Sequence, residues 1–298
     1  MSNIYKVIVA LLVVVGMAGA VIFLNQTRVT ENKMFSGKKF WGAYTGNTTV
    51  SFLDFQNQVG KKADIQAVFI GWYEKFPINL ALPLKQNNQT LVIFWEQYGV
   101  TLDEIMSGST DEYIRQFAND AQAYGASVIL APLHEMNGDW SPWSGVTGEN
   151  TPEKVVLTWR HIHDLFSKKN SNIKWAFVVN NESSPDTEEN KIQNYYPEDE
   201  YVDYVGVDGF NFGEPWQSYA DIFSEPLKQL KAYNKPVYIF SMASAQGPEK
   251  AVWITDALLK IKNDPQIEGF IWFNVNKEKN WLVSSDAFSL EAFKKSLE

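Results

Sequence analysis

The feature of the sequence that most constrains its fold is a series of eight short apolar runs, separated by longer segments that often show helical periodicity. Most runs are continuously apolar, as expected of parallel strands covered on both faces. The eight runs are FWGAYTG (40–46), AVFIGW (67–72), LVIFWEQ (91–97), SVILAPLHEMN (127–137), IKWAFVVNN (173–181), VDYVGVDGFN (202–211), KPVYIFSMA (235–243) and EGFIWFNV (268–275). Helical patterns cover 111–124, 152–169, 219–233 and 248–262, whereas the helices after the second and fifth runs are poorly marked.

This alternation predicts an α/β fold, a (β/α)₈ TIM barrel over residues 39–298, which has close to the typical length of about 250 residues. Function in that fold sits at the C-terminal ends of the strands, so the side chains there should share one face. Those ends are rich in tryptophan, carboxylate and amide, which suits a groove for a polysaccharide, although any single member has a structural alternative. The candidate sugar contacts taken from these ends are Trp72, Trp95, Glu96, Asn180, Phe210 and Trp272.

Composition excludes several classes of function. The chain has no cysteine and three histidines, which rules out disulfides, thiolate catalysis and cysteine-based metal sites. His161 and His163 are interpreted as histidines on a helix surface, so no metal and no cofactor are predicted. The net charge of -9 and the lack of a dense basic block argue against a nucleic-acid partner and suit a neutral ligand.

The N-terminal segment predicts a membrane anchor. Residues 7–24 are 18 consecutive residues without a charged or strongly polar side chain, the length of a transmembrane helix. Ala18-Gly19-Ala20 could be a signal-peptidase site, but further apolar residues follow it, which favours an uncleaved signal anchor. We expect a single N-terminal transmembrane helix within 1–24, a linker at 25–38, and a barrel held outside the cytoplasm at the cell surface.

Several segments together resemble a known enzyme family. They are LHEMNGDWSPW (133–143), TPEKVVLTWRHIHDLF (151–166), WAFVVNN (175–181), YVDYVGVDGFN (201–211), KPVYI (235–239) and WFNVNKEKNW (272–281). The similarity is to glycoside hydrolase family 26, which contains β-mannanases and mixed-linkage β-glucanases, and it extends from about Phe40 to the C-terminus.

The resemblance implies a retaining endo-β-glycanase site. It assigns Glu135 as the general acid/base and His134, Trp140 and Trp143 as contacts to the sugar. A glutamate shielded by aromatic side chains has the raised pKa that protonation of a leaving group requires. A zinc peptidase is excluded, because HEMNG lacks the second histidine of the H-E-x-x-H motif.

One member of that site is replaced. The family takes its nucleophilic glutamate from the end of the seventh strand, where this chain has Ser241. Phe240 stands where a small residue is usual, and Phe210 stands where a tyrosine usually orients the nucleophile. The combination of three departures favours natural divergence over an engineered nucleophile mutant. Another acid could substitute, with Glu96, Asp208 and Glu214 as candidates, but we do not expect it to.

Two functions follow from the sequence. In the first, the chain is a membrane-anchored domain that acts on or binds a β-1,4-linked or mixed-linkage glucan or mannan, with doubtful hydrolytic competence. In the second, it is a non-catalytic, polysaccharide-binding accessory of a membrane exopolysaccharide synthase or exporter.

Overall fold

The computed structural model describes residues 38–166 and 172–298. Eight parallel strands form a closed barrel in which each strand pairs with its neighbours in the sequence and β1 pairs with β8. The strands are β1 (Phe40–Tyr44), β2 (Ile65–Gly71), β3 (Thr90–Glu96), β4 (Val128–Pro132), β5 (Ile173–Asn180), β6 (Tyr204–Asn211), β7 (Val237–Ser244) and β8 (Ile267–Phe273). The prediction of a (β/α)₈ barrel is confirmed for this part of the chain.

Helices surround the barrel and come mostly between consecutive strands. They are α1 (Thr49–Val59), α2 (Ile78–Gln86), α3 (Leu102–Met106), α4 (Asp111–Tyr124), α5 (Pro152–Leu165), α6 (Tyr219–Lys231), α7 (Lys250–Asn263) and α8 (Ala287–Ser296). Between β5 and β6 the described chain forms only two short 3₁₀ helices, Ile192–Tyr195 and Asp199–Tyr201. The weak helical signal after the fifth run therefore reflects a real irregularity of the fold.

Two hydrophobic layers follow from the alternation of side chains along each strand. Side chains such as Phe94, Val178 and Phe240 point into the barrel and form its inner layer. Their neighbours along the strands, such as Trp95 and Phe177, point outward and pack in the larger layer between strands and helices. This alternation decides which strand-end residues can reach the cleft.

The fourth strand is shorter than the run 127–137 predicted. It ends at Pro132, because Leu133 and Glu135 both adopt left-handed backbone conformations, with φ of 52° and 54°. A strand cannot continue through such residues, and non-glycine residues rarely adopt them. Residues 133–137 therefore form a tight turn above the barrel instead of strand.

The predicted anchor (1–24) and nearly all of the predicted linker (25–38) lie outside the described residues. Over 38–166 and 172–298, every helix is too short or too polar to traverse a lipid bilayer. The same residues contain no cluster of three or more His, Asp or Glu side chains arranged to hold a metal ion.

Candidate active site

A cleft of about 800 Å³ opens at the C-terminal ends of the strands. Seven of the residues predicted from the sequence line it: Glu96, His134, Glu135, Trp140, Asn180, Phe210 and Ser241. They come from β3, β5, β6, β7 and the turn after β4. The barrel therefore brings residues as far apart in the sequence as Glu96 and Ser241, which are separated by 145 positions, into one cavity.

The backbone of Glu135 is held firmly in its unusual conformation. Its N–H donates to the carbonyl of Val178 on β5 at 2.9 Å, and its carbonyl accepts from the N–H of Gly138 at 2.9 Å. The N–H of Leu133, two residues earlier, donates to Oε1 of Gln97 at 3.0 Å. These bonds stabilise left-handed residues on both sides of His134, and strain of this kind is concentrated at functional sites.

The carboxyl group of Glu135 is suited to hold a proton near neutral pH. Burial raises the pKa of Glu135 to about 7. A hydrogen bond of 2.9 Å from Nε1 of Trp140 to Oε2 and the positive charge of Lys277 oppose that rise, while Glu96 and Glu278 add to it. A carboxyl group of this pKa can donate a proton to a glycosidic oxygen.

His134 is neutral and enclosed by aromatic rings. Burial lowers its pKa to about 3, and its ring lies 5.1 Å from that of Phe94 and 5.4 Å from that of Trp143. Its Nδ1 is buried without a hydrogen-bond partner among the described residues. A neutral imidazole on the cleft wall offers one donor and one acceptor, which suits a sugar hydroxyl.

Asn137 fixes the turn after β4 to the end of β5. Its Oδ1 accepts from the N–H of Asn180 at 2.8 Å, and its Nδ2 donates to the carbonyl of Asn180 at 3.0 Å. Its own carbonyl accepts from Nδ2 of Asn190 at 2.9 Å. This network positions both Glu135 and Asn180 at the cleft without placing Asn137 itself in the lining.

In the same cleft, Ser241 lies beside a second carboxyl group, that of Asp208. The two residues are paired in the register between β6 and β7, and the hydroxyl and backbone N–H of Ser241 lie near enough to the Asp208 side chain to lower its pKa. Burial raises the pKa of Asp208 well above its usual range, and the nearby Glu135 raises it further. Burial and the neighbouring Glu135 thus both disfavour the charged form that a nucleophilic carboxylate requires.

Phe240 and Ser241 both face the inside of the barrel, although they are adjacent in the sequence. A register shift in the pairing of β6 with β7, between Val207 and Asp208, accommodates them. Phe240 is fully buried in the inner layer and packs over Gly206, where even a Cβ would come within 2.2 Å of its ring. The bulky Phe240 is thus part of the barrel packing beneath the cleft.

Phe210, at the end of β6, forms an apolar wall of the cleft. Its ring lies 5.4 Å from that of Phe273 and 5.3 Å from that of Trp281. It has no hydroxyl with which to orient a group at position 241. The wall is available for apolar contact with a sugar face.

Four tryptophans predicted as sugar contacts do not line the cleft, and those predictions are corrected. Trp72, Trp95, Trp143 and Trp272 are each at most 5% exposed. Trp95 and Trp272 point outward from their strands and pack against helices, with ring distances of 4.4 Å to Phe117 and 5.4 Å to Phe293. A side chain enclosed in this way cannot stack on a ligand.

Trp72 and Trp143 have equally clear packing roles. Trp72 follows β2 and lies 4.7 Å from the ring of Trp95 in the outer layer. Trp143 donates a hydrogen bond from Nε1 to the carbonyl of His134 at 2.7 Å. Its ring also contacts the exposed ring of Tyr98, with 5.0 Å between the ring centres. Trp143 therefore supports the cleft from beneath.

Sequence reasoning missed several lining residues. They are mostly aromatic or charged and include Tyr44, Phe69, Tyr98, Phe273, Trp281, Lys277 and Glu278. Tyr44 and Phe273 end β1 and β8, so the strand-end rule could have identified them. Tyr98, Lys277, Glu278 and Trp281 lie in loops, whose path the sequence does not reveal.

The model of the family described as "Glycosyl hydrolase family 26" matches residues 103–286. That range contains Glu135, Asp208 and Ser241. It covers 184 of the 298 residues, counting from 103 to 286 inclusive.

Known proteins are similar to this chain over aligned segments of different lengths. Endoglucanase H of Acetivibrio thermocellus is 36% identical over 277 residues, which are 88% of this chain and 30% of that protein. A mannan endo-1,4-beta-mannosidase of Bacillus subtilis is 30% identical over 99 residues, 31% of this chain and 25% of that protein. The chain thus spans less than a third of the length of Endoglucanase H.

Solved structures share the barrel. A GH26 beta-mannanase from Bacteroides ovatus superposes with a TM-score of 0.67 at 18% identity, covering 87% of this chain and 88% of that one. The Bacillus subtilis mannanase man26 superposes with a TM-score of 0.62 at 17% identity, covering 87% of this chain and 86% of that one. At such identities the comparison concerns the fold alone.

Proposed function

Because the chain belongs to glycosyl hydrolase family 26, we propose that its cleft binds a β-1,4-linked or mixed-linkage glucan or mannan and that its hydrolytic chemistry is impaired. The observation that carries the proposal is that Glu135, which can hold a proton near neutral pH, shares its cleft with Ser241, whose side chain has no carboxylate. Endoglucanase H and the mannosidases among its relatives favour this class of ligand.

The proposed binding mode uses the apolar and polar walls together. Trp140 is 50% exposed and Tyr98 is 51% exposed at the opening of the cleft, so both can stack on pyranose rings. Neutral His134 and the amide of Asn180 would bind hydroxyl groups. The charged lining is mainly acidic, with Glu96, Glu182 and Glu278 outnumbering Lys277, which favours a neutral glycan over an anionic one.

The proposed chemical defect follows from what Ser241 lacks. A retaining glycosidase needs a nucleophilic carboxylate about 5–5.5 Å from its acid/base. The hydroxyl of Ser241 carries no negative charge, and a serine hydroxyl is a poor nucleophile unless a base within hydrogen-bond reach activates it. Loss of a catalytic nucleophile typically lowers the rate about 10⁴-fold or more.

A binding and hydrolysis experiment on the full-length chain tests this function. Titration calorimetry with gluco- and manno-oligosaccharides should detect binding, while reducing-sugar release from mixed-linkage glucan and mannan should stay near background. Trp140→Ala should weaken binding, whereas Leu157→Ala, which removes an exposed apolar side chain on α5, should not. Rapid hydrolysis by the unmodified chain, or absence of binding to every glycan, would contradict the proposal.

The second candidate function is that of an accessory to a membrane polysaccharide synthase or exporter. The apolar segment 7–24 favours it, because an anchored domain would stay at the membrane surface where a polymer emerges. Membrane fractionation of the full-length chain against a version that begins at Lys38 tests the anchor. Deleting the gene should reduce the amount of exported polymer, whereas loss of a hydrolase would instead leave longer polymer chains.

A further inference from the structure

Lys250 is a fully buried lysine at the start of α7, and neither the acid/base nor the nucleophile position accounts for it. Its Nζ donates to the carbonyl of Asn280 at 3.1 Å, to the carbonyl of Leu282 at 2.8 Å and to Oγ of Ser285 at 3.0 Å. An ammonium group has three N–H donors, so these three acceptors satisfy it completely. Because burying a charge is costly, lysine is almost never fully buried without such partners.

Lys250 keeps its positive charge at neutral pH. Burial lowers its pKa to about 8, and the negative charge of Asp286 opposes that shift. Asp286 is itself held by two hydrogen bonds: its Oδ2 accepts from Nε2 of Gln246 at 2.9 Å, and its Oδ1 accepts from the N–H of Ser289 at 2.8 Å. The bonds that Lys250 donates are therefore made by a charged group, which strengthens them.

All three acceptors of Lys250 belong to one segment, the loop 274–286 between β8 and α8. The same loop brings Lys277, Glu278 and Trp281 into the lining of the cleft. Lys250 does not line the cleft itself. It contacts the loop from the side of the helices.

The turn that carries Lys277 is closed by the bridge between Asn276 and Asn280. Nζ of Lys250 bonds to the carbonyl of Asn280, the residue at which this turn ends. A displacement of Asn280 would therefore move the whole turn, including Lys277.

The loop also has attachments to the strand that it follows. Nε1 of Trp272 donates to the carbonyl of Trp281 at 2.9 Å, and Oδ1 of Asn274 accepts from the N–H of Val283 at 2.8 Å. These bonds tie the loop to the end of β8. Lys250 adds a tie to a second element, α7, so the loop is fixed from two sides.

The position of this loop affects the acid/base residue. Burial raises the pKa of Glu135, the positive charge of Lys277 opposes that rise, and the negative charges of Glu96 and Glu278 add to it. Lys277 acts more strongly than Glu278, which lies on the same loop. Since the interaction of two charges weakens with distance, withdrawal of the loop would leave Glu135 more easily protonated.

We propose that Lys250 is a positioning residue of the cleft, which fixes the loop 274–286 to α7 and thereby keeps Lys277 in the cavity that it shares with Glu135. The inference rests on the proposed function, since it concerns the acid/base residue of the same glycan cleft. Lys250 needs no contact with the ligand for this task. Its effect on Glu135 passes through Lys277.

The test measures the pKa of Glu135 in the ligand-free, full-length chain by NMR titration of a labelled Glu135. Lys250→Met, which retains an apolar stem and removes three donors, should raise this pKa by about half a pH unit, because the charge of Lys277 moves away. Lys277→Met, which removes that charge directly, should raise it at least as much. When Lys277 is already methionine, Lys250→Met should cause no further rise.

The matched control is Lys39→Met. Nζ of Lys39 also donates to two backbone carbonyls, those of Asp264 at 2.5 Å and Ile267 at 2.6 Å. Lys39 directly precedes β1, so it lies at the end of the barrel opposite the cleft. Lys39→Met should lower the melting temperature and leave the pKa of Glu135 unchanged.

Ser285→Ala provides a milder variant in case Lys250→Met does not fold. It removes one acceptor of Lys250 and leaves the cation in place, so the pKa of Glu135 should rise by a smaller amount. An unchanged pKa in Ser285→Ala and in any folded Lys250→Met overturns the positioning role. An equal rise in Lys39→Met, or a rise with Lys250→Met that persists without Lys277, overturns it as well.

The titration needs no glycan, so the two proposals can fail separately. If oligosaccharides bind but the pKa of Glu135 does not respond to Lys250→Met, the positioning role is overturned while the proposed function stands. If the pKa responds as expected but oligosaccharides do not bind, the proposed function is overturned and the link from Lys250 through Lys277 to Glu135 is supported.

Discussion

Trp140 donates a hydrogen bond from its indole Nε1 to Oε2 of Glu135 at 2.9 Å, although half of its surface is exposed. The two residues are five positions apart in the turn after β4, and Gly138 lies between them. A Cβ on Gly138 would approach the Trp140 ring to 2.4 Å, so the glycine allows the indole to fold back over the carboxyl group. One side chain therefore combines two tasks, tuning the acid and offering a surface at the opening of the cleft.

Trp140→Phe should raise the pKa of Glu135 above its value of about 7. The indole N–H stabilises the carboxylate form, so its loss favours the protonated form. Infrared or NMR titration of a labelled Glu135 measures the change. Tyr113→Phe provides the control, because the Tyr113 hydroxyl donates to the carbonyl of Glu74 and Tyr113 does not line the cleft. An unchanged or lowered pKa in Trp140→Phe would contradict this view of the pair.

Glu135→Gln should stabilise the protein at alkaline pH and not at acidic pH. The pKa of Glu135 is raised on folding, so the folded state holds a proton that the unfolded state releases. Native Glu135 therefore contributes to the stability of the folded state below its ordinary pKa of about 4.5, and this contribution is lost as the pH rises through about 7. A neutral amide has no such dependence.

Thermal unfolding of the two forms at pH values below and above this window gives the measurement. The melting temperature of Glu135→Gln relative to the native chain should rise between acidic and alkaline pH. Glu104→Gln serves as the comparison of opposite sign, because backbone and side-chain hydrogen bonds from Thr101 lower the pKa of Glu104. A difference that is constant with pH would show that folding does not raise the pKa of Glu135.

The barrel could be predicted from the sequence because its signal is repeated eight times. The helix predicted at 111–124 has those bounds in the structure, and the fifth strand differs from its run by one residue. The fourth strand was predicted too long, because the run 127–137 includes Leu133 and Glu135. The polarity of a residue does not indicate whether its backbone adopts a left-handed φ. That conformation depends on partners such as Val178, which lies far away in the sequence.

The candidate site was predicted less well, and the tryptophans explain why. Adjacent residues of a strand face opposite sides, so Trp95 and Glu96 cannot both reach the cleft. Because Glu96 and Phe94 face inward, Trp95 between them must pack against the helices. By the same rule Trp272 faces outward, because its neighbour Phe273 faces the cleft. Alternation applied to each strand end would have corrected these two assignments, whereas Trp281 depends on a loop path that only the structure provides.

Phe240→Ala should destabilise the barrel without creating a working site. Phe240 is fully buried in the inner layer beneath the cleft, with its ring 6.3 Å from Phe94 and 5.4 Å from Tyr238. Removing a buried phenylalanine ring costs about 3–5 kcal/mol. Denaturant unfolding measures the loss, and Phe288→Ala, at an exposed position, should change stability little. A negligible effect of Phe240→Ala would contradict its placement in the packed interior.

Ser241→Glu combined with Phe210→Tyr should raise hydrolysis of the preferred glucan or mannan by several orders of magnitude. The substitution supplies the missing carboxylate across from Glu135, and the new phenol can orient it. Asp208, which pairs with position 241 in the register between β6 and β7 and whose pKa burial raises, lies beside the new carboxylate. Because Glu135 must be protonated to release the leaving group, the gained rate should fall as the pH rises above the pKa of Glu135.

Reducing-sugar release by the double variant measures the gain, and the same variant carrying Glu135→Ala should lose it. Ser241→Gln with Phe210→Tyr is the matched control, since it has the same size and hydrogen-bonding capacity without the charge. If the glutamine control gains as much as the glutamate variant, a nucleophilic carboxylate is not what position 241 lacks. If neither variant gains while oligosaccharides still bind, the geometry around Glu135 and Asp208 has diverged from catalysis altogether, and the cleft is a binding site alone.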